Sequence, residues 1–283
     1  RGVEVLHIVH NGFMFEMLEE LKRRHPNLKI IVTMFNDRVE YFEQSVQYET
    51  YIDCFTTDNI KVENHYRTLL QEGSAVTRIP NGIDCVSRFN PELYDSAGLK
   101  TKLGLDSGKT LAFFVGRLSS EKNPDVFVDV ARGMYAVDKS VHFYIIGDGP
   151  MRSQIEKEIA HLSNITYLGY QEDIPAYLAT ADIFVLPSSI EGFPLSLLEA
   201  MAMRAVSIAS DVGAVADVVT NGKDGFVVSP GSSNEIETVI RNLLKDKTKL
   251  SSIKDSARKT VEGKYSSIIL GKNYKKLYNG LLK

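Results

Sequence analysis

The chain reads as an α/β protein whose parallel sheets carry helices on both faces, divided into two domains. Three observations predict this. Short apolar runs such as 110–115, 141–146 and 183–186 alternate with segments of helical spacing, the pattern of strands buried on both faces and joined by helical crossovers. Glycine and proline stand at the exits of those runs, at Gly116, at Gly147-Asp148-Gly149-Pro150 and at Pro187, where strand turns into helix. The length of 283 residues with 43% hydrophobic side chains is comfortable for two cores.

Composition excludes several classes. Lys and Arg number 33 and Asp and Glu 36, with no basic stripe interleaved with aromatics, so no nucleic-acid partner is expected. No apolar run approaches a membrane span and no secretory signal opens the chain. Cys54 and Cys85 lie far apart without ligand-like spacing and read as reduced structural thiols of a cytoplasmic protein. The chain begins at Arg1, almost at once in a strand, which suggests a larger protein whose beginning is absent.

In order, the first third offers a strand at 3–9, a helix at 13–24 on the spacing of Phe13, Met17, Leu18 and Leu21, and a strand at 28–34. A helix at 38–48, a strand at 51–57, a helix at 59–71 and a short strand at 75–79 follow. With the last of these four short, about three full strands are visible, fewer than a full doubly wound domain has, so the first domain is expected to be incomplete. Pro80-Asn81-Gly82 makes a turn, and the polar stretch to about 104, with a short helix at 93–103, reads as a linker. The second domain then runs through strands at 110–115, 141–146, 165–170, 183–186, 205–209 and 225–228, with helices at 125–137, 151–162 and 174–179 and one opening near Pro194. Helices at 232–245, 247–262 and 266–282 close the chain. The predicted division is 1–104, 105–264 and a terminal helix 265–283.

Ligands of such sheets sit at the carboxyl ends of strands. His10 lies just past one such end, where it could bind a hydroxyl or carry a proton. His7, inside the strand, reads as a satisfied core residue. Gly116 lets a ligand approach the backbone, and Arg117 and Lys122 place two cations at the end of the same strand; the plainer reading pairs them with Glu121 and Asp125. The helix opening after 183–187 presents free N–H groups suited to phosphate, yet the acids Glu191 and Glu199 flank its start. Carboxylates repel phosphate, so they should contact hydroxyls of the same ligand, and a phosphate joined to polyhydroxylated groups is a nucleotide sugar. Two cations and a helix start would neutralise a diphosphate with no metal, and no DxD pair or His/Cys cluster stands out. Tyr170, at a strand exit, could stack on a base. The last helix is basic with an apolar face; capping the domain is preferred over lying on an anionic membrane.

Taken together, Ile79-Pro80-Asn81-Gly82-Ile83-Asp84, Gly116-Arg117-Leu118 with Glu121-Lys122, Gly147-Asp148-Gly149-Pro150 and the E-x7-E segment from Glu191 to Glu199 resemble the retaining glycosyltransferases of family 4. These have the GT-B fold of two Rossmann-like domains, and the resemblance runs from Val3 to the end. It implies that Arg117 and Lys122 grip a donor diphosphate, that Glu199 holds the ribose hydroxyls, and that Glu191 faces the donor sugar. The donor side would comprise His10, Gly116, Asp148, Tyr170, Gly192, Phe193, Pro194, Leu195 and Glu199; proline supplies no N–H. The final helix would cross back to the first domain. The sequence departs from the family at Arg204 and Ala214, where glycine is usual, and at Asp217, where glutamate is usual, and it lacks the initial strand and glycine-rich loop of the acceptor side.

The expected activity is a metal-independent hexosyltransferase without cofactor, taking a nucleotide-sugar donor and a saccharide or lipid-linked acceptor, cytoplasmic or peripheral to the inner face of a membrane. The alternatives are a nucleotide-sugar epimerase of the same fold and a non-catalytic nucleotide-sugar-binding fragment.

Overall fold

The central strands are apolar on both sides, as in parallel sheets whose two faces are covered. The computed structural model describes residues 2–9, 12–35 and 39–283. It divides into two units, Arg1–Asn81 with Ser267–Lys283 and Gly82–Ser266. Together they contain two parallel sheets.

The first unit holds β1 (Val5–Val9), β2 (Lys29–Met34), β3 (Cys54–Thr57) and β4 (Val76–Arg78), in the order β1-β2-β3-β4. All are parallel: Val5 pairs Lys29, Ile31 pairs Cys54 and Phe55 pairs Val76. The sheet thus has four strands at the four places read from the sequence, β4 being short and only partly buried. Phe15, Leu18, Ile30, Val32, Phe55 and Tyr66 form the core. His7 is the satisfied residue the sequence suggests: Nδ1 lies 2.8 Å from the Tyr278 hydroxyl and Nε2 2.6 Å from Thr33 Oγ1. The terminal helix Ser267–Leu281 therefore belongs with this sheet.

In the second unit, β5 (Thr110–Val115), β6 (Val141–Ile146), β7 (Ile165–Gly169), β8 (Ile183–Leu186), β9 (Val206–Ser210) and β10 (Phe226–Val228) pair in parallel in the order β10-β9-β8-β5-β6-β7. Alternation along the strands fills two cores. Leu111, Phe113, Tyr144 and Phe184 face one layer of helices, and Ala112, Phe114, Phe143 and Val185 face the other. Because β6 and β7 follow β5 on one side while β8, β9 and β10 lie on the other, the chain reverses direction between β5 and β8. A crevice opens at such a point, outside the carboxyl ends of the two strands.

The boundary differs from the expectation. Residues 82–104 are not a linker but part of the second unit: Ile83, Cys85 and Phe89 are buried with Leu111 and Phe113, and Ile83 N–H donates to Tyr265 O at 2.9 Å. Arg204 stands at φ +62° after the helix Leu195–Ala202, a left-handed position where glycine costs least. Both cysteines are free and buried; burial raises both thiols, Cys85 to about 11, which makes them poor nucleophiles.

Candidate active site

The loops that leave the reversal point are tied to one another, and the tying explains their glycines. Gly147 sits at φ +139° with its absent Cβ 1.9 Å from the Gly116 carbonyl oxygen, and a Cβ on Gly149 would lie 2.4 Å from Leu118 O. Leu118 N–H donates to Asp148 O at 3.0 Å and Met151 N–H to Leu118 O at 2.9 Å. The loops after β5 and β6 therefore meet backbone to backbone. Gly147→Ala should force these strand ends apart, costing about 1–3 kcal/mol and weakening any ligand held there; thermal unfolding and nucleotide titration check this. The loops after β5 and β8 are joined likewise: Ser189 N–H donates to Glu121 O at 2.9 Å and Asn123 Nδ2 to Pro187 O at 3.1 Å.

Within this frame Gly116, Arg117, Asp148 and Tyr170 line one cavity of about 390 Å³. Arg117 is exposed and makes no ion pair among the described residues, so its pairing with Glu121 or Asp125 is not seen. Tyr170 is 71% exposed, leaving its ring open to a partner. The Asp148 carboxylate is engaged by its own turn, accepting from Gly149 N–H at 2.8 Å and facing Arg152 at 3.5 Å.

Lys122 and Glu191 come together, which their separation by 69 positions does not reveal. Lys122 Nζ donates to Glu191 Oε1 at 2.6 Å, and Ser188 Oγ donates to the same oxygen at 2.7 Å. The Glu191 side chain keeps 7% of its exposure and that of Lys122 27%. An ammonium has three protons, so Lys122 keeps two for another acceptor. Ser188 is the partner sequence reasoning passed over; the signal was a small hydroxyl at a strand exit three residues before the acid.

After Glu191, Gly192 O accepts from Ala214 N–H at 3.0 Å, and Gly213, at φ +56°, lies so close that a Cβ would sit 2.1 Å from Glu191 O. Phe193 packs into the core with its ring 6.0 Å from that of Tyr265. Pro194 occupies the N-cap rather than the first turn, and no side chain caps the helix. Leu195 is exposed and Ser196 half-buried, whereas Leu198 N–H already donates to Pro194 O at 3.3 Å; the helix start has no N-cap side-chain acceptor and carries the positive end of the helix dipole.

Glu199, on this helix, is half-buried and accepts no side-chain hydrogen bond among the described residues. Burial raises its carboxyl to about 7, against the opposing field of Arg88. A carboxyl whose folded-state value exceeds its ordinary 4.5 contributes stability at low pH that is lost as pH rises through about 7. At about 1.36 kcal/mol per unit the full effect is on the order of 3 kcal/mol. Glu199→Gln should thus raise stability at pH 8 and show little advantage below pH 4.5; unfolding curves at the two pH values measure it. Arg88, which lines the same cavity as Arg117, is a second residue the sequence did not single out. His10 lies outside the described residues. No three His, Cys, Asp or Glu side chains gather as a metal site, and no helix is long and apolar enough to cross a membrane, among the described residues.

Comparison with known proteins agrees with this architecture. The chain is 29% identical over 250 residues to the UDP-Gal:alpha-D-GlcNAc-diphosphoundecaprenol alpha-1,3-galactosyltransferase of Escherichia coli, covering 85% of this chain and 59% of that protein. It is 26% identical over 301 residues to the 2-deoxystreptamine N-acetyl-D-glucosaminyltransferase of Niallia circulans, covering 98% and 76%. The chain thus spans little more than half the length of the first of these relatives. A glycosyltransferase from Rickettsia africae superposes with a TM-score of 0.85 at 19% identity, over 99% of this chain and 77% of that one. Anabaena HepE in complex with UDP does so at 0.85 and 17%, over 98% and 79%, so the two sheets have the GT-B arrangement of strands. The family model described as glycosyl transferases group 1 matches residues 95–260, more than half of the sequence, and the chain belongs to that family.

Proposed function

We propose that the protein moves a sugar from a nucleotide diphosphate sugar to an acceptor hydroxyl, with retention at the anomeric carbon as in family 4, in the assembly of a polysaccharide or glycolipid. The observation that carries this reading is the Lys122–Glu191 pair, which joins the loops after β5 and β8, with an unpaired Arg117 on the first loop and an uncapped helix start after the second. Glu199 lies about one helix turn further along, within the field of Arg88, which lines the cavity. The Escherichia coli relative's name specifies a UDP-galactose donor and a diphosphoundecaprenol-linked acceptor, and HepE is known with UDP and with UDP-glucose. UDP-sugars are accordingly the first donors to try.

In this reading the bond from the anomeric carbon to the diphosphate oxygen breaks and its electron pair passes to the diphosphate, the acceptor hydroxyl oxygen bonds to the anomeric carbon on the same face, and the hydroxyl proton passes to the departing diphosphate. Arg117, the two free protons of Lys122 and the N–H groups of Leu195 and Ser196 hold the negative charge that grows there. No metal or cofactor is assigned to the step. Glu199 receives ribose hydroxyls. Glu191 orients the sugar: its Oε1 already accepts from Lys122 and Ser188, which lowers its strength as a nucleophile and favours positioning over a covalent intermediate. The reading sets the protein in the cytoplasm; the exposed Lys272, Lys275 and Lys276 of the terminal helix supply the basic face that peripheral attachment to an anionic membrane requires.

The test is a panel of UDP-, GDP- and ADP-sugars screened for thermal stabilisation, since a ligand that binds the folded form raises its melting point. The stabilising donors are then incubated with and without acceptor saccharides. Consumption with release of the nucleoside diphosphate supports transfer. Conversion of the donor alone into an isomer means an epimerase, and binding without consumption means a binding module.

A further inference from the structure

We propose that Arg88 is a specificity-determining residue of the donor site, acting on the nucleoside half of the donor and not on the diphosphate. The inference rests on the donor reading above and goes beyond it by assigning a residue that no strand end or motif marks.

Arg88 lines the 390 Å³ cavity together with Gly116, Arg117 and Tyr170. Its side chain is exposed and forms no ion pair among the described residues; the guanidinium lies 5.3 Å from the centroid of the Phe89 ring. An unpaired surface arginine is ordinarily free to wander, but this one projects from a fixed turn. Asp84 Oδ1 accepts from Val86 N–H at 2.9 Å and from Ser87 N–H at 2.8 Å, and Phe89 N–H returns to Asp84 O at 2.8 Å. The buried Arg258 then holds the carbonyls of Cys85 and Phe89. A donor presented from a fixed backbone loses less freedom on binding.

The lining of the cavity separates Arg88 from the Lys122–Glu191 pair: Tyr170, whose ring is open to a base, shares the cavity with Arg88, whereas Lys122 and Glu191 are not among its lining residues. Arg117 shares its loop with Lys122, whose Nζ touches Glu191, so that loop already has the cations a diphosphate needs. Arg88 is instead the cation whose field reaches Glu199 and opposes the effect of burial there. A planar guanidinium can lie against a base or donate to its carbonyls in a fork.

The experiment titrates the full chain with UDP, GDP, ADP and inorganic pyrophosphate by calorimetry, for the natural protein and for Arg88→Ala, Arg88→Lys and Arg117→Ala. Arg88→Ala is expected to weaken the tightest nucleoside diphosphate about tenfold while changing pyrophosphate less than about twofold. Arg88→Lys should recover part of the loss, and the melting temperature should hold because the side chain is exposed. Arg117→Ala should weaken both ligands. If Arg88→Ala leaves the nucleotide unchanged, or weakens pyrophosphate as much, the assignment of Arg88 is wrong while the donor site stands on Arg117. If the natural protein binds none of the nucleotides, or Arg117→Ala weakens neither ligand, the donor reading fails and this inference falls with it.

Discussion

Lys122→Ala is expected to lower sugar transfer about a hundredfold to a thousandfold, the loss seen when one preorganised donor to a developing negative charge is removed. The substitution has a second consequence, because Lys122 is also the partner of a nearly buried carboxylate. Glu191 would keep only the Ser188 hydroxyl as a described donor, and a charge left in such a place costs about 1–3 kcal/mol when its surroundings are partly open to water. A fall in activity alone therefore does not separate chemistry from damage. Lys122→Ala with Glu191→Gln does, since the amide removes the unpaired charge. The double variant should regain most of the melting temperature and none of the turnover. Recovery of both would mean that the lysine serves only to neutralise Glu191. Arg117→Ala is the complementary case: exposed and without an ion pair among the described residues, it should leave the melting temperature alone and still reduce transfer. Transfer by Lys122→Ala within threefold of the natural rate would refute the role given to the lysine.

The parts of the molecule that could be read from the sequence are those where local pattern and tertiary environment agree. Thr110–Val115, Val141–Ile146 and Ile183–Leu186 are buried on both faces, so an unbroken apolar run is itself the signal. Lys122 and Glu191 were legible as groups at strand exits, but that they meet depends on β5 and β8 being neighbours, which no local pattern encodes. Residues 82–104 misled for the opposite reason. Ile83 and Cys85 stand two apart and Cys85 and Phe89 four apart, so no single period runs through the segment and it looks like a linker; its burial depends on side chains almost two hundred positions away. Arg88 was invisible on the same account, as a lone cation in an aperiodic stretch.

Arg258→Ala should be the most damaging single change in the second unit outside the strands. The residue is 7% exposed and its guanidinium spends its fork on main-chain oxygens: Nη1 donates to Phe89 O at 2.5 Å and Ala202 O at 2.9 Å, and Nη2 to Cys85 O at 2.8 Å. Nε meets Glu262 Oε1 at 2.6 Å. One side chain thus fastens the aperiodic segment, the last turn of Leu195–Ala202 and the helix Lys247–Lys264, and a cation at a helix C-terminus is favoured in its own right. Alanine would leave three buried carbonyls without their donor, at a cost of about 3–5 kcal/mol, or roughly 10 °C in melting temperature for a unit of this size. Lysine should recover little, because a single ammonium cannot reach three oxygens in the geometry of a planar fork. The damage should extend to ligand binding, since the two pieces held together carry Arg88 and Glu199. A titration at a temperature where Arg258→Ala remains folded should therefore show weaker nucleoside diphosphate binding, with pyrophosphate less affected. An Arg258→Ala protein melting within 2 °C of the natural chain would show that packing of Ile83, Cys85 and Phe89 alone holds the segment, and that the guanidinium only fills a space that water could fill as well.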